Sequence, residues 1–159
     1  MIYTSSYKDF KSDKYRLVSI SKDKGASYID ENGNPYDKEC YLALAPKRDF
    51  FKQWRILKEE VSFEESTLFY MRHFYDEVLL PLDPKQVYND LNHSILLCYE
   101  DSGDFCHRHI VAAWLEKNLN IKVKECVYQQ NKIIEKDRPT YIDEYLDKII
   151  KEKENIRYL

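Results

Sequence analysis

The segment Cys98-Tyr99-Glu100-Asp101-Ser102-Gly103-Asp104-Phe105-Cys106-His107-Arg108-His109 gathers thiols, imidazoles, a guanidinium and carboxylates into one short stretch. A thiol such as Cys106 becomes a nucleophile when a neighbouring cation or a helix N-terminus favours its thiolate. The imidazole of His107 and the carboxylate of Glu100 are of the right type to move protons. Arg108 can fork two hydrogen bonds onto a carboxylate or a phosphate. The pattern therefore predicts catalytic roles for Cys106, His107 and Glu100, and an anion held by Arg108. Each residue also has a structural reading. Cys106 is equally suited to be a small buried helix residue, since free Cys behaves as an apolar filler. Arg108 can pair with Glu100, Asp101 or Asp104 rather than with a ligand. His107 fits a half-buried position and His109 a solvated one.

These residues need an element on each side to position them. Ser94 to Tyr99 (SILLCY) is a continuous apolar run of the length of a strand buried on both faces, which places it at the centre of a sheet. After the turn around Gly103, Ile110, Val111, Trp114 and Leu115 mark the buried stripe of a helix that ends near Asn120. Cys106, His107 and Arg108 then fall in its first turn. Ile121 to Val127 returns as a strand, so residues 94–127 form a Rossmann-like βαβ unit with parallel strands. Ligands of open α/β sheets bind outside the carboxyl ends of the strands, where helix N-termini present unpaired N–H groups.

Upstream, Ile2 to Ser6 and Tyr15 to Ser21 read as the first two strands. If they run parallel to the Cys98 strand, Tyr3, Ser5, Ser19, Ser21 and Lys22 face the same crevice. Lys22 to Glu39 is a loop carrying two glycines and Asn-Gly-Asn-Pro. A helical insertion at about 48–91 follows. Phe50, Phe51, Trp54 and Leu57 recur at helical spacing, Ser62 with Glu65 forms a capping box, and Asp83-Pro84 supplies a cap with proline at the first helical position. Lys47, Arg48 and Trp54 are placed to close the crevice, although the cations also suit a solvated helix start and Trp54 suits a core. Thr140 begins a last helix with Tyr141, Ile142, Tyr145, Leu146, Ile149 and Ile150 on one side.

Composition bounds what this arrangement is for. The 159 residues, 43% hydrophobic and 33% charged with only 3 Gly and 5 Pro, describe one compact α/β domain over 1–159 with a small, mostly parallel sheet flanked by helices. No window is apolar and long enough to span a membrane, so a cytoplasmic protein is expected. A net charge of −3 does not favour nucleic acid as a partner, and nothing speaks to an oligomeric state. The four cysteines are far apart in sequence, which suits reduced thiols. No phosphate-loop or dinucleotide glycine pattern is present, so no cofactor is expected. Cys-x7-Cys-His-x-His matches no recognised zinc spacing, and histidines two apart on a helix diverge, so no metal is expected either. A phosphatase loop is excluded because the arginine follows Cys106 by only two positions.

LLCYEDSGDFCHRHIVAAWL, with its Cys-x7-Cys-His-Arg core, resembles the C-terminal signature of the family catalogued as domain of unknown function 488. The opening IYTSSY resembles that family's first strand, VSISKDKG its second strand and following turn, and YLALAPKRDFFKQWR the Leu-Ala-Pro segment of one branch. The resemblance implies a small α/β domain of bacteria, archaea and their phages, with no established reaction. Many relatives carry glycines after the first strand and an acid and an arginine after the second. Here those places hold Ser5 and Ser6, then Ser19, Ser21 and Lys22, which leaves Lys22 as the cation.

Two functional readings follow. In one, the protein is a hydrolase or transferase for a phosphorylated or nucleotide-like small anion, with Cys106 as nucleophile, His107 or Glu100 moving protons, and Arg108, Lys22, Ser21, Ser5 and Tyr3 binding the substrate. In the other, it is a non-catalytic module that binds nucleic acid or protein, and the Cys-His-Arg motif is a structural staple. The 14 tyrosines add stacking and interface area to that second reading.

Overall fold

In the computed structural model, which describes residues 1–157, strand and helix follow the hydrophobic pattern closely. The strands are β1 (Ile2–Ser6), β2 (Leu17–Ser19), β3 (Glu39–Cys40), β4 (Ile95–Cys98), β5 (Val123–Gln129) and β6 (Lys132–Lys136). The helices are α1 (Arg48–Leu57), α2 (Phe63–Phe74), α3 (Pro84–Leu91), α4 (His107–Leu119) and α5 (Thr140–Arg157). A π-helical turn, Tyr75–Leu79, extends α2. The six strands lie in the order β3-β2-β4-β1-β5-β6. All neighbouring pairs are parallel except β5 with β6. The chain is thus a single α/β domain, and β4 is central and buried along its length.

Local chemistry explains the helix boundaries. Ser62 accepts the Glu65 N–H at 3.1 Å, and Asp83 accepts the Lys85 N–H at 3.0 Å ahead of Pro84. α4 stops where Asn120 turns left-handed (φ 52°), a conformation that asparagine tolerates better than most residues.

The two faces of the sheet are covered differently. Residues at the even positions of β1, β2 and β4, namely Ile2, Val18, Leu96 and Cys98, join a core to which all five helices contribute. The odd positions Leu17, Ile95 and Leu97 join Cys126 of β5 in a second cluster, which Tyr7, Phe10 and Tyr28 from loops complete. Tyr28 stacks on Tyr36 at 4.5 Å, so several of the tyrosines form a second lid over the sheet. Strands β3 and β6 were not anticipated from the sequence. β3 is two residues long, and β6 carries Lys132, Glu135 and Lys136, whose charges hide its alternation and suit a sheet edge.

Candidate active site

β4 ends at Cys98, and the chain turns through residues 99–105 before α4 begins at His107. Cys106 therefore caps the helix in an extended conformation (φ −154°, ψ 145°) instead of lying within its first turn. β2 ends alongside, and just beyond it the carbonyl of Ile20 accepts a hydrogen bond from His107 Nε2 at 2.7 Å. A carbonyl can only accept, so Nε2 donates to it, and the Cys98 sulfur lies beside the ring, 3.6 Å from Nδ1 and 3.9 Å from Nε2. The sulfurs of Cys98 and Cys106 and a ring nitrogen of His107 lie within 4.8 Å of one another. All three residues are buried. Sequence spacing gave no metal expectation, yet the fold collects these three ligand-type atoms.

The two thiols divide their protons unequally. Burial opposes ionisation of Cys106, but a hydrogen bond from Cys98, the Arg108 charge and the neighbouring His107 outweigh it and hold this thiol well below its ordinary value. Cys98 is pushed up, first by its hydrogen bond to Cys106 and then by burial. Of the two thiols, the one at the start of α4 is thus the readier to ionise, and the helix dipole favours its anion.

Above the cluster opens a cavity of about 730 Å³. Cys98, Cys106 and His107 line it, with Phe51, Trp54, Tyr70 and Phe105 among its aromatic residues. The rings support one another: Tyr70 meets Trp54 at 5.1 Å and Phe105 at 5.0 Å, both edge to face. Lys22 and Lys58 bring positive charge, and Asp23, Glu59, Glu100 and Asp104 bring negative charge. Lys22 sits over the Phe51 ring at 5.6 Å and Lys58 over Trp54 at 4.6 Å. Tyr99 donates to Asp23, joining the turn after β4 to the loop after β2. Glu100 holds its proton more tightly than an ordinary glutamate, through burial first and then the neighbouring Cys106 and Asp104 charges.

Of the residues singled out in the sequence, Cys106, His107, Glu100, Ser21, Lys22 and Trp54 line this cavity. Arg108 does not. It is fully buried, its Nε and Nη2 donating to Glu125 of β5 at 3.0 and 2.7 Å, and Glu125 is equally buried. Thr4 and Ser102 hydroxyls complete the carboxylate's bonds at 2.6 and 2.8 Å. The acids expected to hold Arg108 lie elsewhere; Asp101, for instance, pairs with Lys8 at 2.7 Å. Tyr3 and Ser5 also lie apart from the cavity, because side chains alternate along a strand and odd positions of β1 point to the tyrosine-covered face. Ser5 donates there to the Cys126 carbonyl at 2.6 Å, and Tyr3 packs against the loop-covered cluster. Lys47 and Arg48 are exposed and do not line the cavity. His109 is buried, not solvated; burial pushes it down to about 4, and neither ring nitrogen has a hydrogen-bond partner among the described residues. Reasoning from the sequence set Cys98 and Phe105 in the motif segment without giving either a role in the site, and it missed Tyr70. The available signal for Cys98 was its place at the last buried position of the central strand.

No described helix is long and apolar enough to cross a membrane. Residues 2–119 match the DUF488-N3a family, described as the active DUF488-N3 subclade. No curated protein and no solved structure gives a significant match.

Proposed function

Because this chain belongs to the DUF488-N3a family, an active subclade, and sets Cys106 at a helix N-terminus beside Cys98 and His107 in a cavity, we propose that it is a thiol-dependent hydrolase or transferase of small, nucleotide-like anions. The placement of Cys106 carries this reading. Its thiolate would attack an electrophilic centre of the substrate, forming a bond to sulfur as the bond to the leaving group breaks. Glu100, which holds a proton more tightly than an ordinary glutamate, would supply a proton to the leaving group and recover one from the water or acceptor that then releases the product. The ring of Trp54 and its neighbours suits a planar base. Lys22 and Lys58, outnumbered by four carboxylates, suit one phosphate group better than a chain of them.

Labelling with iodoacetamide at neutral pH tests the reading, with each cysteine followed by peptide mass spectrometry. In metal-free protein, Cys106 is expected to react before Cys98 and Cys126, and a nucleoside monophosphate in excess slows it. Cys126 serves as the internal standard, since burial pushes its thiol up to about 12 and keeps it unreactive until the protein unfolds. Reaction of Cys106 only on unfolding would refute the thiol mechanism. The non-catalytic reading has support at one residue, Arg108, whose contacts are those of a staple between α4 and β5.

A further inference from the structure

We propose that Cys98, Cys106 and His107 form a three-ligand site for a soft divalent cation of the zinc class, with its fourth coordination position open to the cavity, and that the cation excludes substrate from Cys106. The exclusion rests on the thiol mechanism above; the cation site does not.

The ligand types, spacing and surroundings each support the site. Two thiolates and one imidazole are the donors that a zinc-class cation selects, and three protein ligands with one open position is the arrangement of accessible zinc sites. Zinc bonds of about 2.3 Å to sulfur and about 2.05 Å to nitrogen, at tetrahedral angles, place sulfur and nitrogen about 3.6 Å apart. Cys98 Sγ and His107 Nδ1 are 3.6 Å apart, with Nε2 at 3.9 Å from the same sulfur, so the spacing suits the pair once the imidazole turns to aim Nδ1 at the cation. The three donor atoms lie within 4.8 Å of each other, within reach of one cation through side-chain rotation alone. The other nitrogen of His107 is committed to the Ile20 carbonyl at 2.7 Å. That bond fixes the tautomer and leaves Nδ1 as the free donor, which is how ligating histidines are commonly oriented. Charge also balances. A divalent cation with two thiolates is neutral, which suits a buried position, and the nearby Arg108 charge is already matched by Glu125. The cavity supplies the opening for the fourth ligand, because all three residues line it.

The occupied site would hold the Cys106 lone pair in a metal bond, so that alkylation or substrate attack at this sulfur stops until the cation leaves. Cobalt(II) provides the test, since its thiolate complexes absorb strongly in the near ultraviolet and its tetrahedral complexes in the visible. Chelator-treated protein is expected to bind one equivalent of cobalt with both signatures, to release it to zinc, and to lose at least tenfold in affinity in Cys98→Ser and His107→Gln. Cys40→Ser, which alters the exposed cysteine, is expected to bind as before. Circular dichroism of each variant identifies loss through unfolding, and the spectrum of the unaltered protein is decisive without any variant: absence of the thiolate band overturns the site. Dependence of the spectrum on Cys40 alone would also overturn it. Zinc is expected to slow iodoacetamide labelling of Cys106 at least tenfold, reversed by chelator. Cobalt binding without this protection would overturn the exclusion. A metal-free Cys106 that never labels in the folded protein, beside a normal cobalt spectrum, would refute the thiol mechanism and leave the cation site standing.

Discussion

The bidentate pair of Arg108 with Glu125 places two opposite charges where water does not reach. Such pairs are sensitive to removal of one member, because the survivor is left charged in an apolar interior. Arg108→Met is therefore expected to lower the unfolding free energy by about 3–5 kcal/mol in urea titrations. Arg108→Met with Glu125→Leu is expected to recover a large part of that loss, which would show that the cost lies in the orphaned carboxylate. Equal losses in the single and double variants would refute this account. The partner of Arg108 was not legible in the sequence, where three nearer acids competed for it and Glu125 sits within a strand whose inward face was not assigned. The positions of Cys106, His107, Glu100, Ser21 and Lys22 along the cavity were legible because their elements, a strand end and a helix start, are set by short-range pattern. Tyr3 and Ser5 were misplaced by one step of strand alternation, which moves a side chain through the sheet.

The elements whose ends carry capping chemistry, α2 and α3, could be read directly, as could the βαβ unit from its apolar runs. The β5–β6 hairpin could not, since its turn lacks glycine. Gln130 and Asn131 both take left-handed backbone conformations, φ 52° and 61°, in the two-residue connection between Gln129 and Lys132. Two-residue hairpins of this kind favour Asn-Gly, and non-glycine residues hold that conformation at some cost. Replacing Gln130→Asn and Asn131→Gly together is expected to raise stability by about 1 kcal/mol, read as a higher thermal midpoint with no change in Cys106 labelling. A lower midpoint would mean that side-chain contacts of Gln130 or Asn131 outweigh the backbone effect.

At the scale of the molecule, the helices share one face of the sheet, and the cavity lies where α1 and α2 meet the ends of β2 and β4. Trp54 lines that cavity, whereas Trp114 is buried in the core. A nucleoside monophosphate stacking on the aromatic wall is expected to quench part of the tryptophan emission, and Trp54→Phe to abolish the quench while Trp114 emission persists. Quenching retained in Trp54→Phe would place the ligand elsewhere. The one-sided helical layer was not legible from the sequence, because the loops covering the opposite face achieve burial with tyrosines in place of an amphipathic helix.

The position of β1 has a consequence for how the chain is made. It is the first strand in sequence but an interior one in the sheet, pairing with β4 at Ile95 to Cys98 and with β5 at Val123 to Glu125. During translation both edges of β1 wait for partners about a hundred residues downstream, and the loop between must be closed before either pairing rewards it. The nascent domain therefore emerges with its future centre unpaired, and the ribosome must deliver β4 and β5 before the sheet can assemble around it.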